Sequence, residues 1–264
     1  QLILRQSTSA NAGVTWTTTA IATEGVQADP VAIIAHYDYA GALRPWVLTS
    51  EGLFMYDGTS FYKVVDHVNR FGINETVYPS ALAIWQVNSA PEAGYLVYGI
   101  GRSIRLVWWG DNNTPKWDDI SPVFNTQGLP LIRDGQVTAL ATTPNFLFAA
   151  IGGNSSSLTG GIYMRRAEFI HPQGWFGPIY SFAAANRVMR ALGLSSYNDN
   201  VVRLHIGVDN GTADDTDPLY LDNVTSNPMN VSSYLHAASG IFILPKNDRF
   251  LPEMTARWRQ IEAM

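Results

Sequence analysis

Residues 31–65 have the sequence VAIIAHYDYAGALRPWVLTSEGLFMYDGTSFYKVV, in which four short apolar runs alternate with turn-forming residues. The runs are rich in Val, Ile, Leu, Tyr and Phe, whereas Gly, Asp, Ser and Pro are concentrated between them. This combination is typical of short β-strands joined by tight turns. The segment therefore predicts one antiparallel sheet of four strands.

The same order of short runs occurs three more times along the chain. The four units are residues 31–67, 80–121, 137–181 and 188–234. One apolar residue in the first run of each unit marks its position, at intervals of 48, 58 and 52 residues: Ile34, Leu82, Leu140 and Leu192. Four short strands that recur at about this spacing are typical of a β-propeller, whereas a β-sandwich or jelly roll gives no reason for one internal order to repeat. We therefore predict an all-β fold, a β-propeller of four-stranded antiparallel blades.

The composition excludes several classes of protein. The chain has 264 residues, of which 46% are hydrophobic and only 15% charged, and this composition argues against intrinsic disorder. Its formal net charge of −5 argues against binding nucleic acid through a basic face. The sequence contains no apolar run as long as a membrane-spanning helix and no cysteine that could form a disulfide or ligate a metal.

The N-terminal stretch Ser-Ala-Asn-Ala-Gly-Val-Thr-Trp, residues 9–16, resembles the Asp-box (BNR) repeat S-x-D-x-G-x-T-W. The matching positions are Ser9, Asn11, Gly13 and Trp16. In that family the motif forms a hairpin between the third and fourth strands of a propeller blade, with structural rather than chemical importance. The short polar side chain caps the turn and the glycine permits a positive φ.

This resemblance implies that residues 1–22 form a partial first blade. Its other two strands would come from the C-terminal segment or from sequence outside this chain, since the chain is expected to be a piece of a longer polypeptide. Together with the four complete units, the partial blade brings the expected total to about five. The propeller would span residues 1–239, and residues 240–264 would close the ring or open a following β module.

Two further resemblances concern the class of protein. Residues 240–261 are similar to a segment that follows propeller repeats in uncharacterised phage structural proteins. This likeness implies a non-enzymatic scaffold domain in a virion, in a tail or surface appendage, whose partners are other virion subunits or a surface glycan. Residues 50–58 and 128–140 look like sensor-type propeller repeats, which would instead imply a periplasmic or otherwise extracellular sensor domain.

Four tryptophans are candidates for a glycan-stacking surface: Trp108, Trp109, Trp117 and Trp175. Tryptophans in repeated β-sheets more often pack between blades, so the same residues are also candidates for the core. None of the five histidines has the spacing of a metal-binding motif, and no residue is assigned a catalytic role.

Acidic residues suggest two alternatives to a simple scaffold. The loop after the second run of the fourth unit could hold Ca²⁺ through Asp209, Asp214, Asp215 and Asp217, although it lacks the EF-hand spacing and is more typical of a solvated turn. An Asp-box glycoside hydrolase of the sialidase type would need two facing carboxylates. The candidate acids are Asp57, Glu92, Asp118, Asp119, Asp134 and Glu168.

Overall fold

The computed structural model describes residues 2–4, 22–24, 30–67, 79–86, 94–122, 135–152, 160–167, 175–181, 188–197, 201–209, 219–221 and 241–243. Two short strands precede the first unit, β1 (Leu2–Leu4) and β2 (Ala22–Glu24). The first unit contains β3 (Pro30–Tyr37), β4 (Leu43–Thr49), β5 (Gly52–Tyr56) and β6 (Phe61–Asp66). The second unit contains β7 (Pro79–Trp85), β8 (Tyr95–Ile100), β9 (Ser103–Trp109) and β10 (Pro115–Asp119). The remaining strands are β11 (Val137–Thr142), β12 (Phe146–Ile151), β13 (Gly161–Arg166), β14 (Trp175–Ser181), β15 (Val188–Tyr197), β16 (Val201–Asp209), β17 (Leu219–Leu221) and β18 (Ile241–Ile243).

These strands form four antiparallel sheets that correspond to the four sequence units, and we call them blades 1 to 4. Blade 1 is β3–β6, blade 2 is β7–β10, blade 3 is β11–β14 with β18 added at its outer edge, and the described part of blade 4 is β15–β17. Sequential strands pair as neighbours within each sheet, because the short turns allow only antiparallel pairing. The all-β propeller prediction is confirmed, with four blades described.

The first strands of consecutive blades lie against one another. β3 contacts β7, β7 contacts β11, and β11 contacts β15. Within each blade the second, third and fourth strands follow in order, each one strand farther from this inner row. The arrangement explains the small residues of the first runs, because alanine side chains allow neighbouring backbones to approach closely at the inside of the ring.

A β-bulge in every first strand fixes the equivalence of the blades. The register shifts just before one alanine in each strand: Ala32, Ala81, Ala139 and Ala191. The next residue is Leu82, Leu140 or Leu192 in blades 2 to 4, so the equivalent residue in blade 1 is Ile33. The sequence alignment on Ile34 is therefore one residue out of register, and a shift of one residue places its side chain on the opposite face of the sheet from those of Leu82, Leu140 and Leu192.

Three apolar clusters fill the spaces between or along these blades. Blades 1 and 2 enclose Trp46, Leu48 and Tyr98, and each of these side chains is at most 1% exposed. Blades 2 and 3 enclose Trp85 and Trp175, and the third cluster joins blades 3 and 4. The core of the protein therefore lies between the faces of neighbouring blades, as expected for packed twisted sheets.

The terminal predictions are tested only partly by the described residues. β1 pairs with β2 in a register that joins Leu2 to Glu24 and Leu4 to Ala22. The midpoint of that register is residue 13, inside the Asp-box-like stretch. Ser9, Asn11, Gly13 and Trp16 themselves lie outside the described residues, so their hairpin and the partial first blade stay predictions. β18 pairs with β14, and the predicted role of residues 240–264 is not tested by this pairing.

Candidate functional site

The turn-bearing end of blades 1 and 2 carries a cluster of aromatic side chains, which we call the aromatic rim: His36, Tyr39, Trp46 and Trp109. The end of β3, the start of β4 and the end of β9 lie at this edge, where the Trp109 side chain reaches the backbone of Tyr37. A small pocket at this edge is lined by His36, Trp46 and Trp109 of the rim and by Gly94, Trp108 and Pro115.

The rings of the rim are in contact with one another. Trp109 lies 5.8 Å from Trp46 and 5.5 Å from Tyr39 between ring centroids, and the Tyr39 ring meets Trp109 edge to face. Such tilted and edge-to-face contacts are favourable for aromatic pairs. Tyr39 is 55% exposed although it belongs to this cluster, so it presents a supported aromatic surface to solvent.

Hydrogen bonds hold the inner side of the rim in place. The Trp46 indole N–H donates to the carbonyl oxygen of His36 at 3.2 Å, and that of Trp109 donates to the carbonyl oxygen of Tyr37 at 3.4 Å. His36 Nε2 lies 2.9 Å from the carbonyl oxygen of Gly94. Burial lowers the pKa of His36, so the neutral ring donates from Nε2 to this carbonyl. The bonds from Trp109 to Tyr37 and from His36 to Gly94 join blade 1 to blade 2 across the floor of the rim, and the Trp46 bond lies within blade 1.

The turn that carries Tyr39 is ordered by an aspartate. Asp38 Oδ1 accepts hydrogen bonds from the backbone N–H groups of Ala40 at 2.8 Å and Ala42 at 2.9 Å. Its other oxygen pairs with Arg44 at 3.0 Å. Burial alone would raise the pKa of Asp38. These hydrogen bonds and the Arg44 charge lower it by more, so the pKa lies below its ordinary value. The charged carboxylate therefore fixes the turn at neutral pH.

The four candidate tryptophans divide between the two interfaces of blade 2. Trp109 and Trp117 pack against the cluster between blades 1 and 2, and Trp117 also lies under the guanidinium group of Arg105, whose carbon is 4.6 Å from the ring centre. Trp108 and Trp175 belong to the cluster between blades 2 and 3, where Trp175 is 3% exposed and donates to the carbonyl oxygen of Ile120. Trp108 and Trp109 project from opposite faces of β9 as successive strand residues, so the four tryptophans do not form one stacking surface.

The sequence did not reveal His36, Tyr39 and Trp46 as neighbours of Trp109. The three residues have one feature in common in the sequence: all lie near the hairpin that joins the first two runs of the first unit. Only the contact between two blades, about 70 residues apart along the chain, shows that this hairpin meets Trp109.

The acidic candidates do not form a site in the described part of the chain. Asp57 accepts backbone hydrogen bonds from Thr59 and Ser60 in an exposed turn. Asp118 and Asp119 are successive residues of β10 and so point to opposite faces of its sheet. Their arrangement provides no facing pair for glycoside hydrolysis. Glu92, Asp134 and Glu168 lie outside the described residues.

Only one residue of the predicted Ca²⁺ loop is described. Asp209 ends β16 and pairs with Arg190 at 3.2 Å, whereas Asp214, Asp215 and Asp217 lie outside the described residues. Among the residues whose structure is described, no group of three or more His, Asp or Glu side chains is close enough to hold a metal ion. The Ca²⁺ site therefore stays a prediction.

A second polar cluster lies inside the interface between blades 1 and 2. His67 Nε2 and the hydroxyl of Tyr98 are 3.1 Å apart, and Arg105 lies nearby with 4% exposure. Burial and then the Arg105 charge lower the pKa of His67 to about 4, while burial raises the pKa of Tyr98 to about 12. Both groups are neutral at pH 7, so this cluster joins the blades rather than exchanging protons.

Comparison with known proteins gives a structural likeness only. No protein-family model and no curated protein matches the chain. The extracellular domain of a protein described as a one-component system of B. thetaiotaomicron is similar in structure, with 15% identity and a TM-score of 0.25. The match covers 75% of this chain and 34% of that chain, so the present chain spans about a third of its length. In the described residues, no helix has the length and hydropathy needed to cross a membrane.

The fold and the rim together define a class of protein rather than an individual one. The chain is a β-propeller, a scaffold that displays loops at the ends of rigid sheets, and this fold is consistent with an interaction domain that catalyses no reaction. The fold alone assigns no ligand.

Proposed function

We propose that the chain is a non-enzymatic β-propeller interaction domain of a phage-like virion structural protein, in a tail or other surface appendage, and that its aromatic rim binds a surface glycan. The observation that carries the glycan proposal is Tyr39, which is more than half exposed yet packed edge to face on Trp109. A sugar ring has apolar C–H faces and polar edges. The face of Tyr39 that is exposed to solvent suits the apolar side of a sugar, and the Arg44 side chain beside the turn, which is 31% exposed, suits its polar edges.

Rigidity supports the same proposal. Trp46 and Trp109 are anchored by hydrogen bonds to backbone carbonyls, and the Tyr39 turn is tied to Asp38. Binding therefore requires little ordering of the protein, which lowers the entropic cost of association. The virion setting rests on the sequence likeness of residues 240–261, and the interaction role rests on the fold.

A neighbouring virion subunit is the second candidate partner, favoured by one observation. On the face of blade 1 that points away from blade 2, Ile33 is 62% and Leu43 is 59% exposed. Ile33 is equivalent in position to Leu82, Leu140 and Leu192, which pack between blades elsewhere in the ring. An apolar face of this kind suits contact with another protein surface better than contact with a sugar.

Binding to a glycan array tests the proposal directly, with the purified chain and two matched tyrosine variants. Tyr39→Ala should weaken binding to the array by about fivefold, because an aromatic contact contributes about 1 kcal/mol. Tyr62→Ala is the control, since Tyr62 is similarly exposed at 49% but lies on β6 outside the rim. Equal binding by the two variants would show that the rim is not the glycan site.

Two further measurements separate the alternatives. Turnover of fluorogenic glycosides, abolished by substitution of a single acidic residue, would support the glycoside hydrolase instead. The DNA on either side of the coding sequence should encode other tail or capsid proteins. A membrane-spanning segment after the propeller in the same open reading frame would support the sensor domain and contradict the virion setting.

A further inference from the structure

The first strands of blades 1 and 4, at the two ends of the row of blades, each have one exposed side, and we call these sides the end faces. The end face of blade 1 carries Ile33, and the end face of blade 4 carries Ala191 and Gly193. Ile33 is 62% exposed, and Ala191 and Gly193 are exposed as well. A methyl group added at Gly193 would meet no atom within 4 Å. Both end faces are therefore open to a partner.

The three interfaces inside the ring share one pattern at their first strands. The bulge alanine of each first strand faces the following blade, and the residue after it faces the preceding blade, because successive strand residues point to opposite sides. Each bulge alanine thus shares a cluster with a leucine of the following blade. The pairs are Ala32 with Leu82, Ala81 with Leu140, and Ala139 with Leu192.

The two end faces are the unmatched halves of this pattern. Blade 4 presents the small half, since Ala191 and Gly193 occupy the positions of Ala81 and Ala83. Blade 1 presents the large half, since Ile33 occupies the position of Leu82 in blade 2. A large apolar side chain packed against small residues is the arrangement at each internal interface, so the end face of blade 1 complements that of blade 4.

We propose that the end face of blade 1 in one copy of the chain packs against the end face of blade 4 in a second copy. This inference rests on the interaction role proposed above, and it names the neighbouring subunit as another copy of the same chain. Within one chain both end faces are exposed, so they do not cover each other. Because the two faces differ, the contact is head to tail, and its repetition builds a ring or a filament.

The side chains around the two end faces suit an association between folded chains. Leu43 is 59% exposed and extends the apolar surface of blade 1, because it pairs with Tyr37 on the same side of the sheet as Ile33. On the end face of blade 4, Ser195 Oγ lies 2.7 Å from His205 Nε2, beside the small residues. An apolar centre with polar side chains at its margin is typical of interfaces between proteins that also exist separately.

Cross-linking between introduced cysteines tests the arrangement, because the sequence contains no cysteine. Chains with Ile33→Cys are mixed with chains with Gly193→Cys and treated with a short bis-maleimide reagent. A product with the mass of two chains should form in the mixture but not from either variant alone. Such a product from Ile33→Cys alone would show that like faces meet and would overturn the head-to-tail contact. In the double variant, an internal link without products of higher mass would show that one chain closes its own ring, which would also overturn the proposal.

Sedimentation equilibrium measures the strength of the association, which should rise with protein concentration in the wild type. Ile33→Ser should weaken it by about tenfold, because it removes an isoleucine side chain that becomes buried in the contact. Tyr62→Ser is the matched control and should leave the association unchanged, since Tyr62 is 49% exposed on the opposite side of blade 1. The mass of a single chain at every concentration would overturn the proposal.

The small half of the contact is tested by enlarging it. Ala191→Leu should also weaken the association by about tenfold, because the larger side chain occupies the space that Ile33 of the other copy needs. Unfolding of this variant in dilute solution, where the chain is a monomer, should match that of the wild type. Tyr39→Ala should associate as the wild type does, so that a failure of the glycan proposal and a failure of this contact are distinguished. Full association of Ala191→Leu would contradict the assigned face.

Discussion

Arg165 and Trp175, both in blade 3, donate hydrogen bonds to the same carbonyl oxygen, that of Ile120 at the end of the last strand of blade 2. The Arg165 Nη1 atom is 3.1 Å and the Trp175 Nε1 atom 2.5 Å from this oxygen. All three residues are at most 3% exposed. Burial lowers the pKa of Arg165 to about 10, while the Asp118 charge opposes that shift, so the guanidinium remains charged at neutral pH. The outer part of the interface between the two blades is thus joined by one shared acceptor.

The shared acceptor predicts that the two donors are energetically coupled. Trp175→Phe or Arg165→Met alone leaves the Ile120 carbonyl with one donor, whereas the double variant removes both from a buried oxygen. We expect the double variant to lose more unfolding free energy than the sum of the single losses, by about 1 kcal/mol. Urea denaturation of the four proteins measures this coupling. Additive losses would show that Ile120 is not shared in solution.

The repeat and the small inner strands could be predicted from sequence because they follow from general packing rules. Ala81 and Ala139 occur in first runs that must lie close together at the inside of a ring, and the structure places them there. A regular alternation of strands and turns leaves few other ways to arrange four similar units.

The register of the first blade could not be predicted. Ile33 and Ile34 are equally apolar in sequence, and only the position of the bulge before Ala32 shows that Ile33 is the equivalent of Leu82. The division of the tryptophans was also hidden. Trp175 is buried between blades 2 and 3, where it donates to the carbonyl oxygen of Ile120, which lies 55 residues earlier in the chain. Trp109 instead lines a pocket between blades 1 and 2. Only the packing between blades separates these two roles.

A glycine at the start of β5 should be essential for pairing within blade 1. A Cβ atom at Gly52 would collide with the backbone carbonyl oxygen of Val65 on β6, which cannot rotate away. We expect Gly52→Ala to lower the free energy of unfolding by about 1–3 kcal/mol. Gly193→Ala is the control, because nothing lies within 4 Å of its added methyl group and alanine suits a strand better than glycine. Equal melting temperatures of the two variants would contradict this packing.

The bulge register predicts different tolerance at two equivalent alanines. Ala139 is 5% exposed and faces blade 4, whereas Ala191 is exposed on the outward face of blade 4. Ala139→Leu forces extra volume between two sheets and should cost about 1–3 kcal/mol of unfolding free energy. Ala191→Leu should change it by less than about 0.5 kcal/mol, as for other surface substitutions. Chemical denaturation of both variants measures the difference, and a comparable loss at Ala191 would show that its face is covered in solution.

His67 should make the stability of the protein depend on pH in the acidic range. Burial and the Arg105 charge lower its pKa from the ordinary 6.5 to about 4, so the unfolded chain binds a proton at higher pH than the folded one. The contribution of His67 to the free energy of unfolding is therefore complete above pH 6.5 and is lost as the pH falls toward 4, by up to about 3 kcal/mol. The pKa of His36 is lowered in the same direction, so His36 adds to the loss of stability.

Urea denaturation at several pH values should show a smaller loss of unfolding free energy at acidic pH in His67→Gln than in the wild type. The His67 ring signals in the folded protein should titrate near pH 4. Identical pH profiles for the two proteins, or a ring titration near 6.5, would place His67 in contact with water rather than between Tyr98 and Arg105.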